Sequence, residues 1–185
     1  MSDLPVEFFH GNPASADKMW CLECDAVADY CVGRGCDVGA GGRTLFPDTL
    51  RIDCFPDQNP DRVADALALP FADGELDYVF SGHTIEHLAD PAAAIREWLR
   101  CVRPGGHVVI VAPDTRYTRG QNTDRTPHRF EWAPEDFAHD ALGWERQPGP
   151  WFTWRGPALG AAVVSFDVAC PNWSFHVVLQ KGGPT

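Results

Sequence analysis

No stretch of this 185-residue chain approaches the ~18 consecutive apolar residues of a membrane-spanning helix. Met1 to Pro13 also lacks both the basic start and the apolar core of a secretory leader. Positive charge is scarce: 15 Lys and Arg stand against 26 Asp and Glu, and a net charge of -11 leaves no broad surface for a phosphate backbone. Neither a nucleic acid nor a membrane is therefore expected as a partner, and the expected location is the cytoplasm. The seven cysteines are odd in number and follow no disulfide framework, which fits reduced thiols. Cys21-Leu22-Glu23-Cys24 has the spacing of half a zinc site, but no second pair follows. On a helix over Ala16 to Tyr30, Cys21, Cys24 and Cys31 share roughly one face and read as small buried hydrophobes. No metal site is expected.

The chain is long enough to bury one real core, and its 44% hydrophobic and 22% charged content is that of a globular protein rather than a disordered one. Its organising stretch is Cys36-Asp37-Val38-Gly39-Ala40-Gly41-Gly42, an apolar run that ends in an acid and a glycine cluster. A backbone needs this composition to turn sharply against a nucleotide-sized ligand. Short apolar runs then recur at Leu50 to Asp53, Arg62 to Asp65, Asp77 to Gly82 and His107 to Ala112. In the first three an acid or a small residue closes the run, and the C-terminal ends of parallel strands share one ligand-binding rim. Between Arg43 and Thr49 there is room for one helical turn at most, with Pro47 in the middle, and Cys54 to Asp61 is broken by Pro56 and Pro60. One edge of the usual three-layer sandwich should therefore be trimmed to loops.

Downstream, the chain reads Asp65-Ala66-Leu67-Ala68-Leu69-Pro70-Phe71, then Ser81-Gly82-His83-Thr84-Ile85-Glu86-His87-Leu88, then Arg103-Pro104-Gly105-Gly106. With the Asp37 to Gly42 loop, these motifs resemble the class I S-adenosylmethionine-dependent methyltransferases, most of all a small bacterial branch without a helix after the first glycine loop. The resemblance spans about residues 35–144. It implies a Rossmann-like, doubly wound, mostly parallel α/β sheet with a C-terminal antiparallel strand pair. S-adenosyl-L-methionine is the implied cofactor. The implied cofactor-binding residues are Asp37, Gly39, Ala40, Gly41, Asp53, Cys54, Asp65, Ala66, Leu67, Ser81, Gly82 and His83. By physical role, Gly39 and Gly41 admit the ligand where a β-carbon would collide, and Asp53 can accept both ribose hydroxyls. The resemblance gives Asp37 to the cofactor's amino end and Asp65 to the adenine amino group; Asp37 tying down its own loop is the alternative. Arg43 stands where many members carry a third glycine. A nicotinamide site is disfavoured, because no glycine follows at the third position of G-x-G-x-x-G and no helix follows the loop.

Asp90 is read as the N-cap, and Pro91 as the first turn, of a helix that Pro104-Gly105-Gly106 ends. Glu86 and His87 before it read either as packing and capping or as chemical groups. Thr118 to Trp132 is a long polar loop of the kind that serves as a lid. His83, in the turn after the fourth strand, and His128, in this loop, are the candidate catalytic bases. Arg116, Tyr117, Arg129 and Trp132 are the candidate substrate-binding residues, and Arg116, Arg119, Arg125 and Arg129 form a local positive cluster suited to an anionic group. Gln147 to Gly160, with Trp151, Phe152 and Trp154, reads as a flap, a dimer contact or core. Val163 to Ala169 and Ser174 to Gln180 read as closing strands. The expected organisation is one domain over 1–185: an arm and helix over 1–34, a cofactor half over 35–112, a lid over 113–160 and closing strands over 161–185. The expected function is methyl transfer to an oxygen or nitrogen of a small, anionic or neutral acceptor. A non-catalytic cofactor-binding regulatory module is the alternative, with RNA or protein methylation less favoured. The oligomeric state is left open, a dimer included.

Overall fold

The computed structural model describes residues 21–42, 46, 48–118, 126–146, 154–155 and 159–183. Its frame is a seven-stranded sheet in the order β3-β2-β1-β4-β5-β9-β8. The strands are β1 (Gly35–Val38), β2 (Leu50–Asp53), β3 (Arg62–Val63), β4 (Leu76–Gly82), β5 (Val102–Pro113), β8 (Ala161–Cys170) and β9 (Ser174–Lys181). A separate two-stranded ribbon joins β6 (Glu145–Arg146) to β7 (Trp154–Arg155). The first five strands of the large sheet run parallel, whereas β9 is antiparallel to both β5 and β8. This is the Rossmann-like sheet, with its antiparallel closing pair, that the sequence implies.

Burial on both faces explains why β4 and β5 read as unbroken apolar runs. Val79, Val108 and Ile110 face a core completed by helices α2 (Pro91–Cys101) and α4 (Pro134–Asp140). Tyr78, Phe80, Val109 and Val111 face the other way, onto Val27 of helix α1, residues 21–27. The α1 helix gives way to a 3-10 turn at Ala28–Tyr30. The cysteines do not share a buried face as expected: Cys31 is buried, Cys24 is half-buried and Cys21 is exposed, and none of the seven is in a disulfide.

Helix α2 forms for the reasons its sequence carries. Asp90 Oδ1 accepts from the Ala93 N–H at 2.9 Å, Pro91 opens the first turn, and Ala94, Ile95, Trp98 and Leu99 recur at helical spacing on the buried face. It stops at Cys101, ahead of Pro104-Gly105-Gly106, and β5 begins at once. The expected stop signal therefore lies inside the strand. Two features end the helix early instead: Val102 joins the ladder opposite Leu76, and Lys181 Nζ donates to the carbonyls of Arg100 and Val102.

The β3 edge is thin, as expected. That strand is two exposed residues long, and only a 3-10 turn, Pro56–Gln58, connects β2 to it. Among the described residues no helix is long and apolar enough to cross a membrane. The arm with Phe8, Phe9 and His10, the residues Arg43, Arg119 and Arg125, and the flap residues Trp151 and Phe152 lie outside the described residues.

Candidate active site

Where β1, β2 and β4 end, the sheet opens a cavity of about 390 Å³ whose wall includes Gly39, Asp53, Asp65, Ala66, His83 and His87. That size falls in the ordinary range of small-molecule sites, ~300–1,000 Å³. Gly39 stands on this wall and Gly41 lies two residues beyond it, and each is needed for a different reason. Gly39 has φ +76°, and a β-carbon there would lie 2.0 Å from Thr84 Oγ1, so the chain's own next loop demands this glycine. Gly41 has φ +57° with nothing within 4 Å of a would-be β-carbon; its need is conformational, and the space beside it is open.

Asp53 ties the two neighbouring loops together. Its Oδ2 accepts from the Gly41 N–H at 2.9 Å and its Oδ1 from the Phe55 N–H at 2.8 Å. Each oxygen keeps a second lone pair, so this loop-holding role leaves acceptor capacity toward the cavity. Asp65 Oδ1 takes the Leu67 N–H at 2.8 Å in a tight Asx turn, while Trp98 Nε1 donates to the Ala66 carbonyl at 2.8 Å. The core helix thus holds the segment that walls the cavity.

Of the expected cofactor residues, Gly39, Asp53, Cys54, Asp65, Ala66 and His83 stand on this wall. Asp37, Ala40, Gly41, Leu67, Ser81 and Gly82 are not on it. Ser81 is buried and donates its hydroxyl to the Val38 carbonyl at 3.0 Å, a strand-to-strand tie in place of a ligand contact. Asp37 is also buried, and its Oδ2 has no hydrogen-bond partner.

Burial, and after it the nearby charge of Asp53, pushes the Asp37 carboxyl up to about 8. The folded chain thus holds a proton that the unfolded chain releases near the ordinary carboxylate pKa of ~4. Stability contributed by the neutral form is present below ~4 and is lost as pH rises toward about 8. Asp37→Asn is therefore expected to raise the Tm of the unliganded protein, by a margin that grows across this window. A calorimetric pH series checks it; a margin independent of pH would contradict the assignment. At this chain length each kcal/mol corresponds to ~2–4 °C.

A histidine cluster stands beside the glycine loop. His83 has φ +52°, and its Nε2 lies 2.8 Å from Oε1 of Glu23, a buried residue of α1 that also accepts from the Ser174 hydroxyl. On its other side, His83 Nδ1 lies 3.8 Å from Glu86 Oε1. Glu86 is buried with neither carboxylate oxygen hydrogen-bonded, and burial raises its pKa. Its backbone carbonyl accepts from the N–H groups of Arg129 and Phe130, which carries His128 onto His87 at a ring separation of 4.9 Å. Glu23 and Ser174 were not foreseen as parts of the site. Glu23 lies inside an ordinary amphipathic helix, and no local signal marks it. Glu86 and His87 prove to be neither the cap nor the first turn of α2.

The expected substrate side divides. Arg116 and Tyr117, from the one-turn helix α3 (Thr115–Thr118), line a second cavity of about 350 Å³ with Trp173 and Ser174. Arg116 is gripped in bidentate fashion by Asp114, with Nε–Oδ1 at 2.9 Å and the second guanidinium nitrogen–Oδ2 at 2.6 Å. Trp132 is buried, stacks on Phe130 and donates Nε1–H to Asp140, so it belongs to the core. The Arg129 backbone, by contrast, is used to hold Glu86. His128 is not on the wall of the large cavity; it lies behind His87.

Residues 49–110 match the family model described as a methyltransferase domain. Tocopherol O-methyltransferase of Arabidopsis thaliana is 46% identical over 50 residues, which cover 27% of this chain and 14% of that protein. An uncharacterized methyltransferase of Mycobacterium sp. strain KMS is 28% identical over 134 residues, covering 60% of this chain and 49% of that one. The chain thus spans half or less of the length of these curated relatives. Among solved structures, the partner of a methyltransferase activator in a Haloferax volcanii complex superposes with a TM-score of 0.72 at 14% identity, covering 93% of both chains. The matched segment contributes β2, β3, β4 and most of β5, and with them Asp53, Asp65, Ala66, His83 and His87 of the cavity wall, while β1 and Gly39 lie outside it. Residues 49–110 are thus similar to the methyltransferase-domain family and to segments of curated methyltransferases, and over the whole sheet the likeness is one of fold.

Proposed function

We propose that this chain transfers the methyl group of S-adenosylmethionine to a heteroatom of a small acceptor, with oxygen favoured over nitrogen. The observation that carries the reading is the cavity at the strand ends, where a glycine turn and the carboxylates of Asp53 and Asp65 share one wall. An adenosyl group fits that donor set. Asp53 offers acceptors for vicinal hydroxyls, Asp65 and the Ala66 backbone offer an edge for a ring amine, and the open space beside Gly41 admits a close approach. Bound there, the cofactor supplies a methyl group on a sulfonium, already activated toward an incoming lone pair.

The protein's task is then position and proton removal. His83 stands on the cavity wall with Nε2 2.8 Å from Glu23 Oε1 and Nδ1 3.8 Å from Glu86 Oε1, so a proton taken up by this ring from an acceptor hydroxyl would be stabilised as an imidazolium between two carboxyl groups. This arrangement favours a hydroxyl acceptor. Arg116 gives less support to an anionic one, because its forked edge is occupied by Asp114. The net charge of -11 supports a small molecule over RNA.

The test pairs a methyl-labelled cofactor with fractionated cell extract. Label is expected in a small-molecule fraction, with release of adenosylhomocysteine. His83→Ala is expected to keep adenosylhomocysteine affinity while turnover falls by roughly 10²–10⁴, the usual share of a general base. Label recovered in RNA or protein would contradict the acceptor class, and undiminished turnover in His83→Ala would remove that residue from the chemistry.

A further inference from the structure

We propose that Glu86, His87 and His128 form a site for one divalent transition-metal ion of the zinc class, at the wall of the large cavity. One carboxylate oxygen of Glu86 and one ring nitrogen from each histidine all lie within 4.8 Å of one another. Metal bonds of about 2.0–2.2 Å would draw such atoms to roughly 3 Å apart, a small contraction for two imidazoles carried on loops. This inference runs against the expectation of no metal, which rested on the cysteine pattern.

Two further observations point to an ion. The first is Glu86 itself: it is 1% exposed, and neither of its oxygens has a hydrogen bond. A buried carboxylate without a hydrogen bond is strongly disfavoured, and the nearest ring nitrogens, of His83 and His87, stand 3.8 and 3.9 Å away, too far to satisfy it directly. The second is how the neighbouring ring is turned. His87 Nδ1 lies 3.3 Å from the Pro127 carbonyl, which assigns that nitrogen a proton, and the ring turns Nε2 to the Glu86 side, 3.9 Å from Oε1. At 3.9 Å the ring nitrogen and the carboxylate oxygen stand farther apart than a hydrogen bond, a gap that one ion bonded to both would close. An imidazole whose other nitrogen is tied to a backbone carbonyl is also the usual supporting arrangement around a metal-binding histidine.

Two imidazoles and one carboxylate are a donor set for zinc or a similar ion, and three protein ligands leave positions open, as in sites that bind substrate rather than build structure. The open side is toward the cavity, since His87, Leu88 and Thr126 stand on its wall. An acceptor's oxygen would occupy the open position, which deepens the methyl-transfer reading and rests on it for that role; the metal site itself does not.

The experiment uses the full chain, stripped with a chelator and titrated with Co²⁺ and with Zn²⁺, followed by calorimetry and by the visible absorption of cobalt, with no methyl donor present. One ion per chain is expected, with the weak ligand-field bands of nitrogen and oxygen donors and no thiolate charge-transfer band. His128→Ala and Glu86→Gln, checked for folding by circular dichroism, are each expected to weaken binding by at least the ~10–100-fold that loss of a supporting partner alone costs. A Cys21→Ser/Cys24→Ser variant is expected to bind as the parent does. The proposal is overturned if neither ion binds, which would leave a proton as the neutralising charge on Glu86, or if binding is abolished by the cysteine changes and spared by His128→Ala. A chain that binds metal but no adenosylhomocysteine would sustain the site while removing the methyltransferase reading.

Discussion

Trp98→Ala is expected to lower stability by about 3–5 kcal/mol, the usual loss for truncating a fully buried indole, and so to lower Tm by roughly 6–20 °C at ~2–4 °C per kcal/mol. Trp98 is 0% exposed and sits where α2 meets the β-sheet core, with Ile95 and Leu99 beside it on the same helix face. Its loss does more than open a cavity. The indole N–H is the group that holds the Ala66 carbonyl at 2.8 Å, so the segment from Ala64 to Ala66, part of the cavity wall, loses its anchor to the helix. Trp98→Phe separates the two contributions. It keeps most of the apolar contact and removes the hydrogen bond, with an expected loss of about 1–3 kcal/mol for the stranded carbonyl. Scanning calorimetry orders the variants, and equal Tm values for Trp98→Ala and Trp98→Phe would show that packing contributes far less than this account holds.

Asp53→Ala is expected to weaken adenosylhomocysteine binding by at least tenfold, about 1.4 kcal/mol, and to destabilise the unliganded protein as well. The second effect follows from the two backbone N–H groups, of Gly41 and Phe55, that share this carboxylate. Hydrogen bonds to a charged acceptor contribute ~1.5–3 kcal/mol each. Asp53→Asn retains one oxygen acceptor, so it is expected to fall between the parent and the alanine variant in both measurements. Titration calorimetry gives the affinities and thermal unfolding the stabilities. Unchanged affinity with lowered Tm would leave Asp53 as a loop staple alone.

The strand rim was legible because its signals are local. Short apolar runs closed by Asp53 and by Ser81-Gly82 mark strand ends whichever way the chain continues, Asp65 follows the two-residue β3 at a distance of two, and the N-cap at Asp90 is written in four consecutive residues. What could not be read are contacts between distant segments. Glu23 meets His83 across 60 positions of sequence, and Ser174 meets Glu23 across 151. The residues around His128 reach Glu86 through its backbone carbonyl, a bond that any residue type can make and that leaves no trace in composition. Local motifs also misled where tertiary pairing took over. The Pro104-Gly105-Gly106 turn was absorbed into β5 once Val102 paired with Leu76. Likewise Arg116, whose place in a cluster of arginines suits an anionic acceptor, is bonded to Asp114 two residues away. Gly39 carries a related lesson: the motif glycine is there, but the nearest atom to its missing β-carbon belongs to Thr84.

The central claim is spatial, and a crystal structure of the protein soaked with adenosylhomocysteine tests it most directly. The nucleoside is expected in the cavity between Gly39, Asp53, Asp65 and His83, with its ribose hydroxyls on the Asp53 carboxylate. A nucleoside bound elsewhere, or a saturating soak that leaves this cavity filled by solvent alone, would contradict it.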